Sequence, residues 1–206
     1  VCVGVDLVCS SAGASLYLGE RVQGVAPPRT TPVPVDAVVR GHVSGGGKGD
    51  ATLASNVGIS YVYVGGYHVT PTGVHGTAGG NAEIVGPDPK GNVYGGGSGH
   101  SAVTTSSNVF IGRTTAGAEA KIAGDVYGGA DRTAHGSVNP RVNIANVNYF
   151  SGEVKGKYGV LGGGEGGTVT TSNVNIEGAV DGVAGTSGFK NEIAPGQIYG
   201  GGSGII

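Results

Sequence analysis

The sequence predicts an all-β fold, a parallel β-helix (solenoid) of about four or five coils with a repeat near 33 residues. Three observations predict it. A strand-plus-glycine motif recurs, a second Val-rich motif follows it at nearly fixed distance, and glycine interrupts every stretch that would otherwise be amphipathic helix.

The first motif reads Asn92-Val93-Tyr94-Gly95-Gly96-Gly97, Asp125-Val126-Tyr127-Gly128-Gly129, Gly159-Val160-Leu161-Gly162-Gly163-Gly164 and Gln197-Ile198-Tyr199-Gly200-Gly201-Gly202. From Val93 through Val126 and Val160 to Ile198 the intervals are 33, 34 and 38 residues. A weaker copy, His42-Val43-Ser44-Gly45-Gly46-Gly47, stands 50 residues before Val93, which implies one coil with an insertion within Tyr67 to Lys90. Glycine after a short strand marks a corner where the backbone turns without side-chain interference.

The second motif reads Asn56-Val57-Gly58-Ile59, Asn108-Val109-Phe110-Ile111, Arg141-Val142-Asn143-Ile144 and Asn173-Val174-Asn175-Ile176, offset from the first by 14, 16, 16 and 14 residues. Val-x-Ile places two β-branched residues on one face of a strand, so Asn175 is expected at solvent. A third element precedes each repeat as Glu83-Ile84, Lys121-Ile122, Val154-Lys155 and Glu192-Ile193. A single coil cannot cover its own apolar face, so Val93, Val126, Val160 and Ile198 should form one buried column.

The repeats span 41–206, and residues 1–40 read as an N-terminal cap, arm or linker containing the extended, polyproline-like segment from Pro27 to Pro34. Solenoid ends expose strand edges that need a cap. Cys2 and Cys9 are close enough to close a small disulfide loop or to remain two buried thiols. The chain begins without Met and stops at Ile206, just after a motif that elsewhere opens a repeat, which reads as a processed product or a fragment.

Glycine supplies 45 of 206 residues, without collagen's period of three, and the recurring Val, Ile and Tyr exclude a disordered linker. A formal charge of −2 with scattered Lys and Arg gives no footprint for nucleic acid. No apolar run reaches the ~18 residues a membrane-spanning helix needs.

At the Asn/Asp-Val-Tyr-Gly-Gly-Gly copies the sequence resembles the Gly-rich "GxVYGGG" repeat regions of large secreted, adhesin-like bacterial surface proteins, over about Gly41 to Ile206. The resemblance implies an extracellular or cell-surface location and a structural or adhesive role, with other copies of the chain, neighbouring surface proteins or glycans as partners. It carries over no binding residues. A filament subunit adding end to end is the leading expectation, and no catalytic residue, cofactor or metal is assigned.

Other readings are weighed. β-Helices also carry polysaccharide-cleaving sites, which need two carboxyl groups about 5–10 Å apart. Asp125 and Asp131, with Arg132 adjacent, flank one corner and Glu165 stands one coil later, although Asp in a turn is ordinarily a solvated hydrogen-bonding residue. Stacking would also bring Asp50, His100 and His135 into a column that could hold a metal, against the ordinary reading of exposed loop histidines. Tyr61, Tyr63, Tyr67, Tyr94, Tyr127 and Tyr199 recur near corners, either packing on one another or offering faces to sugars in a glycan-binding module. Gly46-Gly47-Lys48-Gly49-Asp50 is one partial calcium-repeat match, no flat Thr-x-Thr ladder points to ice binding, and the glycine runs lack a phosphate loop's Gly-Lys-Ser/Thr ending.

Overall fold

Alternating Val and Ile build short strands, and each strand is useful only when another covers its edge and its apolar side. The computed structural model of the chain describes residues 5–10, 13–18, 20–23, 31–34, 36–49, 55–65, 68–70, 73–75, 82–85, 91–99, 102–112, 120–131, 140–149, 152–176, 179–180, 190–193 and 197–202. It is all-β, with parallel strands stacked in register into three principal sheets. Among the described residues no helix is long and apolar enough to cross a membrane.

Each of the first four repeats contributes one strand to each sheet, the fifth contributes described strands to two of them, and each such set is called a layer. The lateral face stacks Ala37–Arg40, Ala82–Val85, Ala120–Ile122, Gly152–Val154 and Lys190–Ile193. The short face stacks Val43–Ser44, Val93–Tyr94, Val126–Tyr127, Val160–Leu161 and Ile198–Tyr199. The long face stacks Ser55–Val64, Ala102–Ile111, Arg141–Tyr149 and Thr168–Ile176.

The expected valine column exists. Val43, Val93, Val126, Val160 and Ile198 are successive register partners, and the first four are buried. The four buried valines share one apolar cluster with Ile84, Ile122 and Val154 of the lateral face and Val62, Val109 and Val147 of the long face. Each such side chain contributes about 1.5–3 kcal/mol through burial. Hydrogen bonds continue around the corner: Gly45, Gly95, Gly128 and Gly162 donate their N–H groups to the carbonyls of Tyr94, Tyr127, Leu161 and Tyr199 in the next layer, at 2.8 to 2.9 Å.

The second motif is placed differently from the sequence expectation. Val57 and Val142 share a column with Thr104 and Val169, whereas Val109 and Val174 belong five residues along, with Val62 and Val147. The long strand explains this. Ala102, Thr104, Ser107, Val109 and Ile111 are buried, so the inward parity switches between Thr104 and Ser107 and the strand presents two inward runs. Ile59 and Ile144, expected to share a face with Val57 and Val142, lie at the switch and are 42% and 44% exposed. Asn175 is exposed, as Val-x-Ile alternation requires.

The third element also shifts. Glu83, Lys121, Glu153 and Glu192 are register partners, so the fourth-layer copy is Glu153-Val154 rather than Val154-Lys155. Its first copy is Ala37–Arg40, so the stacked sheet begins four residues before Gly41. The extra length of the first repeat lies on both sides of Ala82–Val85, and part of it is an antiparallel pair, His68–Thr70 with Gly73–His75.

Residues before the first layer contribute sheet as well. Gly13–Leu18 adds parallel to Ser55–Val64, and Val5–Ser10 pairs antiparallel with Gly13–Leu18. Thr31–Pro34, part of the expected polyproline-like segment, pairs antiparallel with Glu20–Gln23 instead. Proline is tolerated there because a two-stranded pair leaves each strand an unpaired edge. Cys9 falls in Val5–Ser10, while Cys2 lies outside the described residues.

The interior is too thin for side chains at the corners. A Cβ on Gly128 would meet the Gly162 carbonyl oxygen at 2.4 Å and a Val147 methyl at 3.0 Å, whereas one on Gly200, in the last described layer, would meet nothing within 4 Å. Serines facing this corner hold it: Ser60 and Ser107 donate to the Gly95 and Gly128 carbonyls at 2.6 and 2.5 Å, and Ser172 donates to Gly200. Ala145 occupies the same column without a hydroxyl.

Gly128→Ala should therefore cost about 1–3 kcal/mol through overpacking, while Gly200→Ala stays near wild type; paired urea denaturation curves check the contrast. Among the described residues, Thr104 Oγ1 is buried without a hydrogen-bond partner in a column of valines. Thr104→Val should raise stability by about 1 kcal/mol, since a buried unsatisfied hydroxyl carries a desolvation penalty, and the same denaturation measurement reads it.

Candidate functional site

The residue just before each short-face valine is polar in most layers: His42, Asn92, Asp125 and Gln197, with Gly159 the exception. These positions stack, and the side chains of His42, Asn92 and Asp125 each cap backbone of the next layer, while Gln197 Oε1 accepts from the Tyr199 hydroxyl. His42 Nδ1 accepts the Asn92 N–H at 3.1 Å, and Asn92 Oδ1 accepts the Asp125 N–H at 2.9 Å. Asp125 Oδ1 accepts the N–H groups of Tyr158 and Gly159, both at 2.7 Å. The Asp125 carboxylate is thus committed to the fourth-layer backbone, and a Cβ on Gly156 would land on it.

The outward residues of the short strands form a second column. Tyr94 and Tyr127 stack with ring centroids 5.0 Å apart and planes inclined by 10°, and Leu161 and Tyr158 pack against them. Tyr94 is almost wholly buried. Its hydroxyl accepts a hydrogen bond from Asn92 Nδ2 at 2.9 Å and donates to Glu165 Oε2. Burial holds the phenol well above its usual range, so it remains a donor.

Asp131 and Glu165 are brought to this cluster by backbone geometry. Asp131 bridges to Ser98 on one side and Gly166 on the other, its N–H donates to Gly97 O at 3.0 Å, and the Glu165 N–H donates to Ala130 O at 3.1 Å. Burial raises the Asp131 carboxyl from its ordinary range, the negative charge of Glu165 raises it further, and His42 opposes both. The His42 ring lies 6.0 Å from the Tyr94 ring, tilted by 58°.

Of the three candidate carboxylates, the structure therefore gathers Asp131 and Glu165 and assigns Asp125 to the backbone. His42, Asn92 and Tyr94 complete the cluster. Sequence reasoning missed His42 and Asn92 as members, although their position before the valine was the signal. Asp50, His100, His135, Arg132 and Tyr67 lie outside the described residues. Among the described residues no group of three His, Cys, Asp or Glu side chains is arranged to hold a metal ion.

The remaining tyrosines divide by layer. Tyr61 and Tyr63 stack at 6.0 Å, and Tyr63 stacks on Phe110 at 5.0 Å, while Tyr199 is exposed in the last described layer. On the outer side of the long face, asparagines form a ladder: Asn146 Nδ2 donates to Asn108 Oδ1 at 3.1 Å and Asn173 Nδ2 to Asn146 Oδ1 at 2.9 Å. No protein-family model, curated protein or solved structure significantly matches this chain.

Because the Asp131 carboxyl is raised in the folded state, the folded protein binds more protons than the unfolded chain between the ordinary Asp range and the raised value. Stability from this group is thus greatest at low pH and falls as pH rises through that window. Asp131→Asn should remove this fall and stabilise the protein at neutral pH, as read from denaturation midpoints of both proteins across a pH series.

Proposed function

We propose that the chain is a parallel β-solenoid serving as a structural or adhesive element outside the cell, able to build filaments by adding end to end, and that it is not an enzyme. The observation that carries this reading is the use made of polar side chains. His42, Asn92 and Asp125 cap backbone N–H groups of the neighbouring layer, Ser60, Ser107 and Ser172 hold corner carbonyls, and Asn108, Asn146 and Asn173 bond to one another. A catalytic surface keeps polar groups free for substrate, whereas these are turned toward the next layer. The resemblance to Gly-rich repeats of secreted adhesin-like proteins points the same way.

One observation favours a second reading. Asp131 and Glu165 share a partly buried cluster, and a raised carboxyl beside a second carboxylate is the pairing that glycosidic cleavage uses. Glu165, however, accepts a hydrogen bond from the buried Tyr94 hydroxyl, a contact that orders the corner. A third reading, glycan binding, would draw on the exposed Tyr199 and the partly exposed Tyr61.

Imaging of the purified chain should show rods, and incubation with bacterial and plant polysaccharides should yield no shortened products. Cleavage that disappears in Asp131→Ala and Glu165→Ala, with folding retained, would replace the structural reading by the enzymatic one. Glycan-array binding lost in Tyr199→Ala would replace it by the binding module.

A further inference from the structure

We propose that the hairpin formed by His68–Thr70 and Gly73–His75 holds one divalent transition-metal ion, with His68 and His75 as its two protein ligands. The hairpin belongs to the extra length of the first repeat, and the site is independent of how copies of the chain assemble.

The argument begins with register. His75 stands directly opposite His68, Val74 opposite Val69, and Gly73 opposite Thr70, in antiparallel pairing. Residues directly opposite one another in such a pair carry β-carbons about 4.5–5.5 Å apart, whatever their type. Two imidazoles anchored at that spacing can reach a common ion at the usual zinc–nitrogen distance of about 2.0–2.1 Å. Alternation assigns both histidine positions to one face of the ribbon and the two valine positions to the other. Loop length sets the register of a hairpin, here through Pro71-Thr72, so the juxtaposition does not depend on the stacked layers.

Composition singles out the same two residues. Between Asp50 and Glu83 the chain contains no Asp, Glu, Lys, Arg or Cys, yet it carries two of the five histidines. That stretch offers no carboxylate of the kind calcium or magnesium prefers, whereas imidazole suits zinc, copper and nickel. Two protein ligands leave the remaining coordination positions to water.

Such a site has a physical use. A two-stranded hairpin is marginally stable by itself, and this one has three residue pairs. The loop joins its strands at Thr70 and Gly73, while His68 with His75 is the pair farthest from the loop. An ion held there closes the open end, so that both ends of the hairpin are tied. Metal binding and ordering of the hairpin then become one equilibrium.

Calorimetric titration of the purified 206-residue chain with nickel tests the site. The wild type should bind one more ion than the double variant His68→Ala with His75→Ala. Each single variant should resemble the double variant, because a chelate is lost with either ligand, and the two effects are therefore not additive. Changing His42, His100 and His135 together to Ala should leave the additional ion in place. Below about pH 6 the affinity for that ion should fall about a hundredfold per pH unit, since it displaces a proton from each of two imidazoles. Near-ultraviolet dichroism of the packed tyrosines should be the same in all variants. A fall of only about tenfold per pH unit overturns the pair, because it counts a single imidazole. Equal stoichiometry in the wild type and the double variant, or no binding up to about millimolar nickel, overturns the site altogether.

Discussion

The rest of the structure depends on a close approach at the glycine corner. There the backbone of one layer passes so near the next that a carbonyl oxygen occupies the place of a Cβ. That proximity allows the corner amides to bond from layer to layer and lets a serine on the facing strand reach the corner carbonyl. A thin interior follows, filled by valine and isoleucine with little space for larger side chains. The aromatic residues are accordingly carried outside it, as the Tyr94 and Tyr127 stack and the Tyr63 and Phe110 stack.

Repetition also changes the role of polar residues. In register, equivalent side chains stand about one strand spacing apart, close enough for an amide or carboxylate to satisfy its neighbour's backbone. His42, Asn92 and Asp125 act so on one edge of the short face, and the asparagine ladder does so on the long face. Where the column holds glycine or alanine instead, as at Gly159 and Ala145, that particular side-chain bond cannot form. Asp131 and Glu165 depart from this pattern, because the bridge that joins their layers, Asp131 with Gly166, is antiparallel rather than in parallel register.

Among the described strands, the long-face sheet gains its two further strands from residues before the first layer, and the lateral-face sheet gains its own from residues after the fourth. Gly13–Leu18 joins the long face in parallel and Val5–Ser10 pairs antiparallel with it, while Ile198 and Tyr199 of the last described layer are exposed.

The sequence by itself determined the strand class, the spacing of the short-face valines and the corners, because glycine runs and β-branched pairs act locally and recur visibly. It also exposed the candidate carboxylates and tyrosines, but not which of them meet. Only the tertiary structure decided that Val109 aligns with Val62 rather than Val57, because an inward-parity switch inside a long strand leaves no mark in a short motif. Likewise, Asp125 was separated from Asp131 and Glu165 by backbone hydrogen bonds between layers, which depend on register and not on residue type. Local chemistry writes the repeat unit; the partner of each side chain is set by which residue of the next layer comes to lie above it.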